Sequence, residues 1–312
     1  MRYEGPEQLP DRWPPTPLCQ TSHLAAPTFK ENLLAGPQSL VLMLFGRHVY
    51  PQHIALSSAT FIQALSTLGV SEQATRSALA RMVTRGLLDR HIHGRKAYFS
   101  TTPRAYRMLD EGAQRIFADS PEAPTNDDTW TMLSFSIPED QRSNRHTLRS
   151  NLAERGFGLV RSGFWLAPGR IEVTDMIDGL GLGGRIEVFH GQPAPPTQMT
   201  RVIEEAWDLD EIRGAHEVFI SRWVDERPPD IESHLGAETL LAAEWTVLMR
   251  GTPRLPTRYL PANWPAMRSY SIFHERFDQL RPAAGAEFAR LRDMLAIQAE
   301  TEKATPLEGV RR

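Results

Sequence analysis

The sequence predicts a multidomain α+β protein: an N-terminal winged helix-turn-helix, a middle ferredoxin-like βαββαβ domain and a C-terminal helical domain. Three observations carry this prediction. Helix, helix, turn, helix and basic hairpin follow one another without slack from Gln38 to Phe99. Strand and helix patterns then alternate between 129 and 192. Beyond Pro196 the apolar and aromatic residues recur at helical spacing.

The proline-bearing stretch 1–35 shows little periodicity and is expected to be a disordered tail. From Gln38 the run SLVLMLFG reads as an apolar helix closing at Gly46, before a break at Tyr50-Pro51. Ser57-Ser58 can cap the next helix, whose core stripe is Phe61, Ile62, Leu65 and Leu68. Gly69-Val70 is the turn into the helix on which the reading centres.

That helix opens at Ser71, an N-cap type, with Glu72 suiting the positive end of the helix dipole. Thr75, Ala78, Leu79, Met82 and Val83 form one buried stripe, and Gln73, Arg76, Ser77, Ala80, Arg81 and Thr84 the opposite face. Gly86 ends it, and Leu87-Leu88 starts a strand that reverses through His93-Gly94-Arg95-Lys96 into Ala97-Tyr98-Phe99. Between Ser71 and Arg107 eight basic residues face two acidic ones, a net charge of +6, so with the whole chain at −3 the remainder carries −9. Cationic charge gathered in one short stretch of an acidic protein is the footprint of a phosphate-binding surface. A three-arginine amphipathic helix alone is the ordinary look of a solvated surface helix. The helix before it, the short turn and the basic hairpin after it favour DNA.

Major-groove contacts are expected from Gln73, Arg76, Ser77 and Arg81. Arginine can donate twice to guanine, glutamine suits adenine, and small Ala80 allows close approach. Arg95 and Lys96 at the hairpin tip are expected on phosphate or in the adjacent minor groove.

Pro103 starts a further helix in the first domain (36–118), and the polar, proline-bearing stretch Asp119–Asp128 reads as a linker. In the second domain (129–192), Trp130–Ile137 is a strand and a helix through Leu148 and Leu152 ends at Gly156. Two strands flank a turn at Ser162-Gly163, Thr174 caps a short helix, and Arg185–Phe189 closes the sheet. Pro193, Pro195 and Pro196 mark the next boundary. The third domain (198–300) has helical stretches at 199–225 and 232–250, and a final helix with Tyr270, Phe273, Phe277 and Leu280. Five of the seven tryptophans lie after residue 160, and aromatics so spaced are ordinarily core.

Composition and motifs exclude several classes. No apolar run is long enough to span a bilayer, and the N-terminal residues lack the hydrophobic core of a signal peptide. With a single cysteine, Cys19, a cytoplasmic protein is expected. No phosphate-cradling glycine loop, nucleophile elbow or dinucleotide fingerprint occurs, so no cofactor is expected. His91 and His93 share a strand face but lack an evident third ligand, which favours wing histidines near phosphate over a metal pair.

The runs SLVLMLFGRHVYP, LGVSEQATRSALARMVTRGLL, HGRKAYF, RGFGLVRSGFWLAP and LPTRYLPANWP, in that order from about Gln38 to about Leu280, resemble the PaaX family of transcriptional repressors. The resemblance implies the three-domain order already read, with a middle domain similar to CRISPR-associated endoribonucleases. It also implies homodimers on double-stranded operator DNA of an aromatic-catabolic operon, released by an aryl-acyl-CoA such as phenylacetyl-CoA. The proline-rich tail and the alanine-rich reader helix depart from the family pattern. An anionic CoA needs cations beside aromatics. Residue type nominates Arg161, Arg170, Arg185 and Trp165 in the middle domain, and Arg222, Trp223, Arg250, Arg254, Arg258 and Trp264 in the helical one.

Two alternatives stand beside the repressor. A metal-dependent nuclease would need an acidic residue at the end of the first middle strand, where Ile137 stands, with Glu139 and Asp140 only after Pro138. A DNA-free interaction protein would keep the fold without specific binding.

Overall fold

The computed structural model describes residues 36–117, 128–225, 228 and 230–296. The tail 1–35 with Cys19, and nearly all of the 119–128 linker, lie outside the described residues. Among those described, the chain is α+β with two four-stranded sheets.

Helix α1 (Pro37–His48) starts with a proline, whose missing N–H is unneeded in a first turn. It runs through Gly46 instead of stopping there. A Cβ on Gly46 would sit 3.2 Å from Leu109 Cδ2, so this glycine serves close packing. Strand β1 (Ile54–Ser57), which four residues of sequence do not announce, leads into α2 (Ser58–Ser66), where Ser57 Oγ accepts from the Thr60 amide at 3.3 Å. Gly69 at φ 73° turns the chain into α3 (Glu72–Thr84), capped by Ser71 Oγ on the Ala74 amide at 3.2 Å. β2 (Leu88–His93) and β3 (Lys96–Thr101) form the hairpin, with His93 opposite Lys96 and Gly94 at φ 61° in the turn. Only glycine adopts that backbone without strain. Helix α4 (Pro103–Phe117) follows.

The middle unit comprises β4 (Trp130–Phe135), α5 (Arg142–Glu154), β5 (Gly158–Arg161), β6 (Phe164–Pro168), α6 (Thr174–Gly179) and β7 (Ile186–Gly191). Its strands lie in the order β5-β6-β4-β7, each pair antiparallel. Val173, not Thr174, occupies the N-cap of α6, without a side-chain cap. One sheet face buries Leu133 and Trp165 against Leu148 and Leu152 of α5 and Ile177 of α6. The other face buries Trp130 and Leu166 against Met199 and Ile203 of α7 (Met199–Ala206). Thus α7, beyond the proline boundary, packs with the middle sheet. A Cβ on Gly158 would meet the Trp207 ring at 2.5 Å and the Ala206 carbonyl at 2.8 Å, so β5 and the end of α7 touch where only glycine fits.

The expected helix 199–225 breaks at Trp207-Asp208, where Asp208 Oδ1 accepts from the Glu211 amide at 2.9 Å and starts α8 (Leu209–Trp223). Helix α9 (His234–Gly251) is buried nearly all round, the mark of a central helix. Helix α10 (Ala266–Leu291) stacks Phe273 on Trp245 of α9 at 4.6 Å. The chain then forms β8 (Met294–Ala296), a strand inside a segment read as helical, antiparallel to β1. The first sheet is therefore β2-β3-β1-β8.

Leu44, Phe45, Phe61, Leu79 and Met82 share one continuous core with Phe219, Trp223, Leu241, Trp245 and Phe273. The N-terminal unit and the C-terminal helices are thus bound by buried apolar surface and by the strand pair β1–β8. Inside that seam, Glu238 of α9 is fully buried, with Oε1 3.3 Å from Arg47 Nη2 and Oε2 2.8 Å from His48 Nε2. Arg47 also lies over the Phe277 ring at 4.3 Å, and burial lowers its pKa.

Candidate nucleic-acid interface

Helix α3 buries Thr75, Ala78, Leu79 and Met82, which leaves its other face in solvent by geometry alone. Gln73, Arg76, Ala80, Arg81 and Thr84 are exposed and Ser77 is half-buried. Burying Leu79 and Met82 supplies roughly 1.5–3 kcal/mol each, which fixes the rotation of the helix and so the face it presents.

Arg76 Nη2 and Nε lie 2.7 and 2.8 Å from Glu72 Oε1, one turn earlier. Both side chains are more than half exposed, and such a pair is worth only about 0.3–0.5 kcal/mol, so a stronger acceptor can take the guanidinium. Arg85 is turned toward α1, its Nη1 donating to Gln38 Oε1 at 3.1 Å.

On the hairpin, Arg95 stands exposed at the turn. Lys96, read as a phosphate ligand, is paired: its Nζ is 2.7 Å from Asp293 Oδ2, and Tyr98 Oη donates to Asp293 Oδ1 at 3.3 Å. The hydrogen bond between them raises the ammonium's pKa and lowers the carboxyl's. His91 Nε2 is 2.8 Å from Ser100 Oγ, and no cluster of three metal-ligating side chains exists among the described residues.

The nominated effector residues do not converge. Trp165 of β6 is buried in the middle core while Arg161, on the neighbouring strand β5, is exposed. Trp223 is fully buried, its indole donating to Glu244 Oε2 at 2.7 Å, and Arg222 Nε lies 3.2 Å from Glu244 Oε1. Burial pushes the Glu244 pKa up against both partners. Arg258 pairs with Asp128 and lies over the Tyr259 ring at 4.8 Å. Trp264 is half-buried beside Arg213, whose guanidinium is 5.7 Å from the ring centre. Arg170, Arg185 and Arg250 are exposed and Arg254 half-buried. An open groove of about 530 Å³ along α8 has Glu217, Val218, Ser221 and Arg222 on its wall. A cleft of about 610 Å³ between α2 and α10 is lined by Asp230, Glu232 and Glu287 against a single cation, Arg290, a net charge that disfavours an anion.

Two features escaped the sequence reading. Arg142, His146 and Arg149 form an exposed basic stripe on α5, legible from their i, i+4, i+7 spacing. Asp293 has no local signal, because its partner Lys96 lies 197 positions away.

Comparison with known proteins agrees with this architecture. Three family models match in chain order: "PaaX-like protein" over residues 36–105, "PaaX protein central Cas2-like domain" over 123–203, and "PaaX-like protein C-terminal domain" over 207–290. The chain belongs to the PaaX family, a family of transcriptional repressors and not of enzymes. The division between the second and third matches falls where α7 ends against the middle sheet. Among individual proteins, the chain is similar to the transcriptional repressor PaaX of Escherichia coli (strain K12), at 24% identity over 263 residues, covering 79% of this chain and 81% of that protein. Among solved structures it is similar in fold to the uncharacterized protein Rv0674 from Mycobacterium tuberculosis, with a TM-score of 0.55 and 22% identity, covering 81% of this chain and 98% of the other. No helix among the described residues is long and apolar enough to cross a membrane.

Proposed function

We propose that the chain is a homodimeric transcriptional repressor of an aromatic-compound catabolic operon. Residues 36–117 act as a winged helix-turn-helix, the middle unit as a ferredoxin-like domain, and the C-terminal helices as the part that receives the signal. The observation that supports this most is the free face of α3. Its arginines and Gln73 stand in solvent on a helix held rigidly from behind, and a basic hairpin follows at once.

In this reading Arg76 leaves Glu72 for a guanine edge, and Arg81, one turn and a half along, reads a second base. Gln73 and Ser77 complete the base contacts, Ala80 lets the helix lie deep in the major groove, and Arg95 takes a phosphate. Family membership supports an aryl-acyl-CoA as the releasing signal. That ligand must bind the DNA-free arrangement more tightly than the DNA-bound one, since equal affinity shifts nothing. The groove on α8 has Arg222 on its wall, a cation the ligand would draw from Glu244.

The test is fluorescence anisotropy on the DNA upstream of the chain's own gene and on random duplex, each across a salt series. Arg81→Ala is expected to cost about 1–3 kcal/mol on the upstream DNA and much less on random duplex, whereas Arg95→Ala weakens both and flattens the salt dependence. Equal losses for Arg81→Ala on both duplexes, or no binding by the native chain, refute the reading. A thermal-shift panel of aryl-acyl-CoAs and matching free acids tests the effector class; no thioester shift removes it.

A further inference from the structure

Lys96 of β3 and Asp293 meet beside the β1–β8 pairing, which brings the end of the C-terminal helices back to the hairpin's sheet. Asp293 is the second residue after α10, and its position is determined from both sides. The Ser57 amide donates to its carbonyl at 2.8 Å, and its own amide donates to Thr60 Oγ1 at 3.0 Å. Thr60 Oγ1 in turn donates to the Leu291 carbonyl at 3.3 Å. Next to it, β8 pairs with β1 through Leu56↔Met294 and Ile54↔Ala296. The Asp293 main chain is therefore fixed against the sheet that carries the hairpin, and its carboxylate oxygens meet Lys96 and Tyr98 there, in a pair whose lysine side chain is 63% exposed and whose aspartate is 38% exposed.

An ion pair between two freely moving surface side chains yields easily to a phosphate, because ordering both costs as much as the attraction returns. Here one partner has its main chain fixed by two hydrogen bonds and its carboxylate met by Tyr98, so much of the entropy of fixing it has been met by folding. We infer that Asp293 is an affinity-determining residue for nucleic acid: it withholds the Lys96 cation from the phosphate backbone and so lowers the charge the hairpin offers to any duplex. Arg95, next to Lys96 at the turn, and Arg90 on β2 are left as the hairpin's exposed cations for DNA among the described residues. Asp293 follows directly on α10, which packs Phe273 and Phe277 into the shared core beside α9. Displacing the end of α10 adds one cation, Lys96, to Arg90 and Arg95 on the hairpin without touching α3. The readout is sequence-independent, because phosphate contacts set affinity and register whereas base edges set specificity.

The inference rests on the DNA-binding reading, and the experiment separates the two. Full-length native chain, Asp293→Asn, Lys96→Gln and the double variant are titrated with a random-sequence duplex across a salt series, with Arg81→Ala on the upstream DNA as reference. Asparagine keeps the size and hydrogen-bonding oxygen of the side chain but not its charge. Asp293→Asn is expected to tighten random-duplex binding roughly three- to tenfold and to steepen the log–log salt slope by about 0.9, the contribution of one added phosphate contact. Lys96→Gln is expected to cancel that gain, costing more slope in the Asp293→Asn background than in the native one. A native slope in Asp293→Asn, or a Lys96→Gln effect of the same size in both backgrounds, overturns the inference while Arg81 dependence leaves the DNA reading standing. Failure of the native chain to bind either duplex brings both down.

Discussion

Glu238→Ala removes the acid from the seam between α1 and α9 and leaves the Arg47 guanidinium and the His48 ring without the carboxylate they face. The carboxylate is fully buried and touches both Arg47, at 3.3 Å, and His48, at 2.8 Å. The Arg47 side chain is 21% exposed and lies against Phe277, so water cannot easily replace the lost partner. Deleting one member of such a buried pair costs about 3–5 kcal/mol, most of it the penalty of an uncompensated charge. Against a typical total stability of about 5–15 kcal/mol, that is roughly a fifth or more. Thermal unfolding is expected to drop by on the order of 10 °C. The control is Arg47→Met combined with Glu238→Leu, which replaces the pair by apolar side chains of similar volume and is expected to recover most of the loss. Denaturant unfolding of the native chain, Arg47→Met, Glu238→Leu and the double variant gives the coupling energy directly. A loss under about 1 kcal/mol for Glu238→Ala, or no recovery in the double variant, refutes the argument that this buried charge holds the seam.

Two further outcomes follow from the packing. His216 is fully buried between Ser269 Oγ at 2.7 Å and Thr252 Oγ1 at 3.0 Å, and burial lowers its pKa from 6.5 to about 4. The unfolded chain binds this proton more readily, so the stability is complete above about pH 6.5 and is lost as pH falls toward 4, on the order of 3 kcal/mol in all. The slope of unfolding free energy against pH is expected to flatten in that window in His216→Gln, and an unchanged slope would exclude His216 as its source. Gly158→Ala drives a methyl into the Trp207 ring and the Ala206 carbonyl, which parts α7 from β5 and is expected to cost about 1–3 kcal/mol, measured by denaturant unfolding.

The element order was legible wherever a local rule acts. Ser57 and Ser71 cap helices because their hydroxyls meet the free amides three residues on, and Gly69, Gly86 and Gly94 mark turns because they alone take positive φ cheaply. Gly46 shows the limit of that rule: its residue type predicts a stop, yet it lies inside α1, where Leu109 comes close. Strands β1 and β8 were missed for a related reason. Segments of four and three residues carry no period of their own and become strands only when a partner strand arrives.

The apolar stripe of α3 is written in residues 75–83, so the amino-acid order by itself determined which face of that helix stays in water and which cations stand on it. It likewise determined that an acidic chain concentrates its positive charge in one short region. What only the tertiary structure decided is who neighbours whom across the chain. Trp165 and Trp223 became core and not pocket, Glu238 met Arg47 and His48, and Asp293 came to rest on Lys96. Helical and strand periodicity are local, acting over a few residues, whereas pairing at separations near two hundred residues is settled by which buried surfaces fit once the whole chain has collapsed.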